Sequence, residues 1–320
     1  MKNFVLMLGL LTVMVSCKEE SKNEEKVAEI PVEEVAIARF DQKFFGGKAE
    51  DLPQLKADFP YLFPEGNEDA VWIEKMRDPF QLKLYEEVQK KYPNTNKLED
   101  GLENLFRHIK LYYPEFKEPK VVTLVSDDLE TKALYAGDLL FIPLSLYLGN
   151  DNYLYEGLPK YQVKQFVPEQ ILPDVVTSFS EDKIAPPQDR TLLSLMVYFG
   201  KELYMQDVLL PDATDAVKIG YTPENIEWAN VNEEEMWRYF IENKLLYDTD
   251  PKLPGRFINP APFSKFYLAL DNDSPGRIGR WLGWQIVRSY MQNNKDVPLQ
   301  QMLAMDAKTL FENSKYKPKK

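Results

Sequence analysis

The chain of 320 residues is 44 % hydrophobic and 13 % aromatic, enough apolar material for a well-formed globular core. Its formal charge of −12 at pH 7 argues against nucleic acid as a partner and against electrostatic binding to anionic lipid. One cysteine rules out an internal disulfide, and one histidine rules out a metal centre held by paired imidazoles.

The first residues have the three-part layout of a secretory signal: Lys2, an apolar run from Phe4 to Val15, and small Ser16 before Cys17. The run is shorter than the ~20 residues that a membrane span needs. Val15, Ser16 and Cys17 resemble a lipobox, with Met14 departing from the usual outer residue. The expectation is residues 1–16 as signal peptide, lipid on Cys17, and membrane attachment through that lipid, since several acyl chains anchor stably. Residues 17–34 are dominated by charge, and no aromatic occurs between Cys17 and Phe40, so a flexible acidic tether is expected there. Outer-membrane placement facing the periplasm is expected, with cell-surface display as the alternative suggested by Lys18-Glu19-Glu20.

Residues 35–320 show no linker, repeat or low-complexity break and read as one globular domain. An alternating opening segment leads into the aromatic cluster Phe40, Phe44 and Phe45. Helices are predicted over Pro79–Lys91, with Phe80, Leu84 and Val88 on one face, and over Asp100–Tyr113. A strand is predicted over Lys120–Ser126, and a hairpin joins Ala133–Ala136 to Leu139–Ile142 through Gly137-Asp138. A proline-rich connection follows, from Pro168 to Pro187. The class is therefore α+β, predominantly α-helical with a small β-sheet.

Three later helices are expected. Asp189–Leu209 is apolar over most of its circumference and should be buried. Asn232–Tyr247 opens with Asn232 as a cap and Glu233 to Glu235 in the first turn, where the helix dipole favours acids. The third starts at Ser274 and Pro275 and carries Gly276, Gly279 and Gly283 as a stripe without side chains. Each glycine costs roughly 1 kcal/mol of helix stability, so a very close backbone contact is expected in return. Asp271-Asn-Asp273 does not open a calcium loop, because the twelfth position is Leu282.

Four segments, Ile37–Asp41, Leu146–Gly149 running on to Tyr161, Tyr198–Lys201 and Ser274–Gly283, in that order behind a lipoprotein signal, resemble the gliding-motility lipoprotein B family, GldB. The resemblance implies a component of gliding motility associated with type IX secretion, with protein partners in that machinery. The layout is also similar to zinc peptidases of the gluzincin type, implying a gluzincin-like core that lacks the metal motif. Placing the peptidase helix on Asp189–Leu209 puts the ligand positions at Tyr198 and Glu202, the general base at Phe199, and the later acidic ligand among Glu233 to Glu235. Phe199 cannot act as a base, and the one histidine, His108, lies on another predicted helix.

Gly-x-Ser-x-Gly, Walker and dinucleotide glycine patterns do not occur. The expectation is a non-catalytic scaffold without cofactor or metal. The alternative is a peptide- or glycan-binding lipoprotein whose former cleft uses Tyr198, Phe199, Lys201, Glu202, Glu234, Arg277 and Trp284. A hydrolase using carboxylates alone is the third reading.

Overall fold

A computed structural model describes residues 26–268 and 271–319. The predicted signal peptide, Cys17 and the first part of the acidic segment lie outside the described residues. From Val27 onward that segment is docked rather than free. Val27 is buried. Lys110 donates to the Pro31 carbonyl at 3.0 Å, and the Val35 and Ile37 amides donate to Glu103 and Glu99 at 3.2 and 3.3 Å. Here side-chain carboxylates satisfy an extended backbone that has no strand partner.

The described residues are 56 % helical with one small mixed sheet, so the α+β class holds. β1 (Ala38–Arg39) runs into α1 (Phe40–Phe45), and α2 (Pro79–Lys91) and α3 (Asn96–Tyr112) follow. β2 (Lys120–Leu124), β3 (Leu134–Ala136) and β4 (Leu139–Pro143) complete a sheet of order β1-β2-β4-β3. β1 and β4 flank β2 in parallel, with Ala38 opposite Val122 and Val122 opposite Phe141. β3 closes on β4 antiparallel through Gly137, whose φ of +65° suits the tight turn. Val121, Val122 and Thr123 are all buried, as expected of a parallel strand covered on both faces.

Asp78 caps α2 by accepting from the amides of Phe80 and Gln81. The buried face of α2 is Gln81, Leu84 and Val88, whereas Phe80 is exposed. The supposed proline-rich connection contains α4 (Ile171–Ser180), almost entirely buried. Pro173 sits in its first turn, where the missing N–H has no intrahelical partner to lose.

α5 (Leu192–Leu209) begins at Thr191, whose hydroxyl accepts from the Ser194 amide at 3.2 Å. It packs most extensively against α8 (Ile278–Asn293). Between them in sequence come α6 (Asp215–Ile219) and α7 (Glu233–Glu242), and α9 (Leu299–Ala304) and α10 (Ala307–Ser314) end the chain. The close approach expected of the glycine stripe occurs. Gly283 lies against the Met196 carbonyl and Gly200 against the Gly283 backbone, so a Cβ at either would strike main chain.

The start of α8 differs from expectation. Ser274 does not cap the helix: its hydroxyl donates toward the Ser264 and Asp271 carbonyls and accepts from the Ser264 amide. Gly276 is pressed against the Ala261 carbonyl, and Arg277 takes a left-handed φ of +64°, so helical geometry begins only at Ile278. α7 also begins without its expected cap. The Asn232 side chain donates back to the Trp228 carbonyl at 2.8 Å, closing the preceding helix (Pro223–Val231).

Candidate functional site

The glycine crossing brings the first turn of α8 beside the middle of α5. Arg277 just before α8, Arg280 in its first turn, Glu202 and Gln206 from α5, Asp174 from α4, Lys218 from α6 and Lys132 from the loop before β3 line one cavity of about 130 Å³. Four cationic side chains and two carboxylates thus meet inside a molecule that is strongly acidic overall.

Part of this charge is internally paired. Lys132 donates to Asp174 and to Gln165, each at 3.0 Å, and the Tyr147 hydroxyl donates to the other Asp174 oxygen at 3.0 Å. Burial pushes the Asp174 carboxyl up, and Lys132 and Tyr147 pull it back. Lys218 donates to Asp207 at 3.1 Å. Asp207 also accepts from the Trp284 indole at 2.8 Å and from Arg288 at 2.7 Å, and Arg288 in turn clasps Asp215.

The remaining groups are not paired with one another. Arg277 donates to the Ile219 and Gly220 carbonyls at 2.8 and 3.3 Å, and Arg280 donates to the Ile258 carbonyl at 2.8 Å while lying 3.8 Å over the Phe199 ring. These bonds use only one nitrogen of each guanidinium, and neither pairs with a carboxylate among the described residues. Burial lowers both, Arg280 to about 10 with Arg277 adding to the effect. Burial pushes the Glu202 carboxyl up, opposed first by Arg280 and then by Arg277. Glu202 makes no side-chain hydrogen bond among the described residues. Gln206 is 2 % exposed, and its Oε1 has no hydrogen-bond partner among the described residues.

A second cavity of about 130 Å³ adjoins the first, sharing Arg277 and Gln165 as a partition and adding Lys164, Tyr221, Asn225 and Asp273. The Tyr221 hydroxyl donates to the Gly276 carbonyl, and burial pushes that phenol well above its usual range.

Of the residues that sequence reasoning nominated, Glu202 and Arg277 come together here, with Phe199 as the platform beneath Arg280. Tyr198 and Lys201 belong elsewhere, beside a small cavity of about 60 Å³ near Asp306. The Lys201 ammonium donates to the carbonyls of Leu303 and Met305 at 2.9 and 2.5 Å, closing the C-terminal end of α9, and burial pulls it down to about 8. Trp284 is wholly buried and is core rather than cleft wall. Glu234 is exposed on α7 and borders neither charged cavity. Its neighbour Glu233 is the buried one, accepting from the Tyr316 hydroxyl at 2.6 Å.

Sequence reasoning missed Asp174, Gln206, Lys218, Lys132 and Arg280. Only Arg280 carried a signal, lying one helical turn after Arg277 in the quoted motif. His108 is buried on α3 and bonded to the Asn104 carbonyl at 2.9 Å. Among the described residues no group of three or more histidine, cysteine or acidic side chains is placed to hold a metal ion.

Fold and site together define a helix-rich α+β body with a buried charged cavity, and no described helix is long and apolar enough to cross a membrane. A family model described as gliding motility protein GldB matches residues 20–318, and the chain belongs to that family. Membership ties it to gliding motility and to a membrane-associated lipoprotein family. No curated protein and no solved structure matches the chain.

Proposed function

We propose that this chain is a non-catalytic adaptor, held to the outer membrane by lipid on Cys17 and docking a protein partner of the gliding and type IX secretion machinery. The observation that carries this reading is a groove beside α7, with exposed apolar residues on the segments around it. Val231, Ile241, Tyr267 and Leu268 are 75, 49, 71 and 48 % exposed. Leu268 lines a groove of about 480 Å³ whose apolar wall is Trp228, Met236, Tyr239 and Phe266 and whose polar rim includes Glu235, Arg238 and Glu242. Apolar side chains exposed together mark interaction sites more often than isolated ones do. The residue types at the peptidase-like positions support the non-catalytic part: Phe199 offers no base, and Tyr198 and Glu202 offer no imidazole.

A photo-crosslinking residue at Tyr267, in the lipoprotein at its natural membrane, tests the reading. The expected result is a discrete adduct with an envelope protein that Val231→Asp abolishes along with gliding. Normal gliding in Val231→Asp and Tyr267→Asp cells, with no adduct, would overturn it. Metal analysis and peptidase assay of the purified lipoprotein form the companion test, and stoichiometric metal with cleavage would sink the non-catalytic part.

A second reading, ligand binding in the former cleft, is favoured by Glu202, the Gln206 Oε1 and the unused N–H groups of Arg277 and Arg280 around one cavity. The adaptor and the binding site are compatible, since the groove and the cavity share no residue.

A further inference from the structure

We infer that the cavity between α4, α5 and α8 binds the α-carboxylate of an amino acid, with Arg277 and Arg280 on the carboxylate and Glu202 and Gln206 on the α-nitrogen beside it. The inference rests on the cleft-binding reading and names its ligand class.

The donors and acceptors left over in the cavity specify complementary chemistry. The two guanidiniums have unused N–H groups and no counter-ion among the described residues, which calls for an oxyanion, and a planar carboxylate matches their fork geometry. The Gln206 Oε1 is a buried acceptor without a donor and the half-buried Glu202 accepts no side-chain hydrogen bond among the described residues, which calls for N–H or O–H close to that anion. A bare anion would leave those two acceptors empty and would face Glu202 unfavourably. An amino-acid carboxylate with its own nitrogen completes both halves at once. The Lys132–Asp174 and Lys218–Asp207 pairs are closed on themselves and act as walls.

Size agrees. About 130 Å³ is well above the roughly 10–15 Å³ that one water needs, and admits a molecule of several heavy atoms rather than a long chain. The adjoining cavity behind Arg277 and Gln165 is of equal volume, so the carboxylate can belong either to a free amino acid or to the last residue of a peptide whose preceding residue lies next door.

Titration calorimetry of the full detergent-solubilised lipoprotein decides the matter, using L-alanine, L-glutamate, Ala-Ala, Ala-Ala amide, glucuronate and inorganic phosphate as probes. Binding of a probe with a free α-carboxylate is expected, with amidation of Ala-Ala weakening it at least tenfold. Preference for Ala-Ala over the free amino acids identifies the peptide end as the source, and the reverse identifies the free amino acid. Glu202→Gln and Arg280→Lys should each weaken binding about tenfold with the folded state retained by circular dichroism, while Glu234→Gln should bind as the parent does. Binding of glucuronate or phosphate alone would overturn the ligand class and leave cleft binding intact. Absence of heat with every probe would overturn both.

Discussion

Two clusters of buried charge sit in this molecule under opposite conditions. Near the N-terminus, Asp41 is fully buried and accepts from Arg39 at 2.7 Å, from Thr123 at 2.5 Å and from Gln89 at 3.0 Å, while Arg39 also reaches the Tyr92 carbonyl. Each carboxylate oxygen is used, and the cluster ties β1 and α1 to β2 and α2. In the α5–α8 cavity, Glu202, the Gln206 carbonyl oxygen and most of two guanidiniums find no hydrogen-bond partner among the described residues. Desolvating a charge is costly unless hydrogen bonds replace its water, so a closed network stabilises a fold and an open one marks unfinished chemistry. The same residue types thus do structural work in one place and wait for a ligand in the other.

Breaking the closed cluster should have the largest effect. Asp41→Ala leaves Arg39 buried without its counter-ion and should cost about 3–5 kcal/mol in urea denaturation. Gly283→Ala comes next, because the added methyl meets the Met196 main chain. A cost of about 2–3 kcal/mol is expected despite the roughly 1 kcal/mol gain in helix propensity, measured in the same way. Lys201→Met strips two carbonyls of their donor and should cost about 1–3 kcal/mol while leaving probe binding unchanged.

The open cluster should respond least, and with the opposite sign. Burial raises the folded Glu202 carboxyl above its unfolded value, against Arg280 and Arg277 and with Asp174 and Glu181 adding to the rise. Between those two values the folded state holds the proton more tightly. That stability is present at low pH and is lost as pH climbs through the window. Glu202→Gln should therefore be more stable than the parent at neutral pH, and the difference should vanish as pH falls below the ordinary glutamate range. Thermal melts of both proteins across pH 4–8 check this, and a gap that widened on acidification would contradict it.

Local chemistry made much of the fold legible. Gly137-Asp138 announced the hairpin, Pro79 the start of α2, and the glycines of α8 announced a backbone contact whose partner, Gly200, lay unmarked inside an apolar helix. The Ser274-Pro275 start was misread because a local capping signal competed with two tertiary ones, the Ala261 carbonyl against Gly276 and the left-handed turn at Arg277. Pro173 hid α4 because a proline inside a first turn looks, in one dimension, like a break. The cavity was the least legible part. Lys132, Asp174, Glu202, Lys218 and Arg280 are scattered over about 150 residues, and no short-range spacing links them. Trp284 is a cleft-wall candidate in the sequence because an indole can serve in either setting. Only the Asp207 contact and complete burial tell which one holds here.

The meeting of Gly200 with Gly283 has a mechanical consequence. Helices that touch through side chains can shift past each other as rotamers rearrange, whereas these two touch peptide to peptide and have no compliant layer between them. A push on α8 is handed to α5 without slack. The pair behaves as a single stiff strut running through the molecule, with the charged cavity at one side of it and the rest of the body hung from its length.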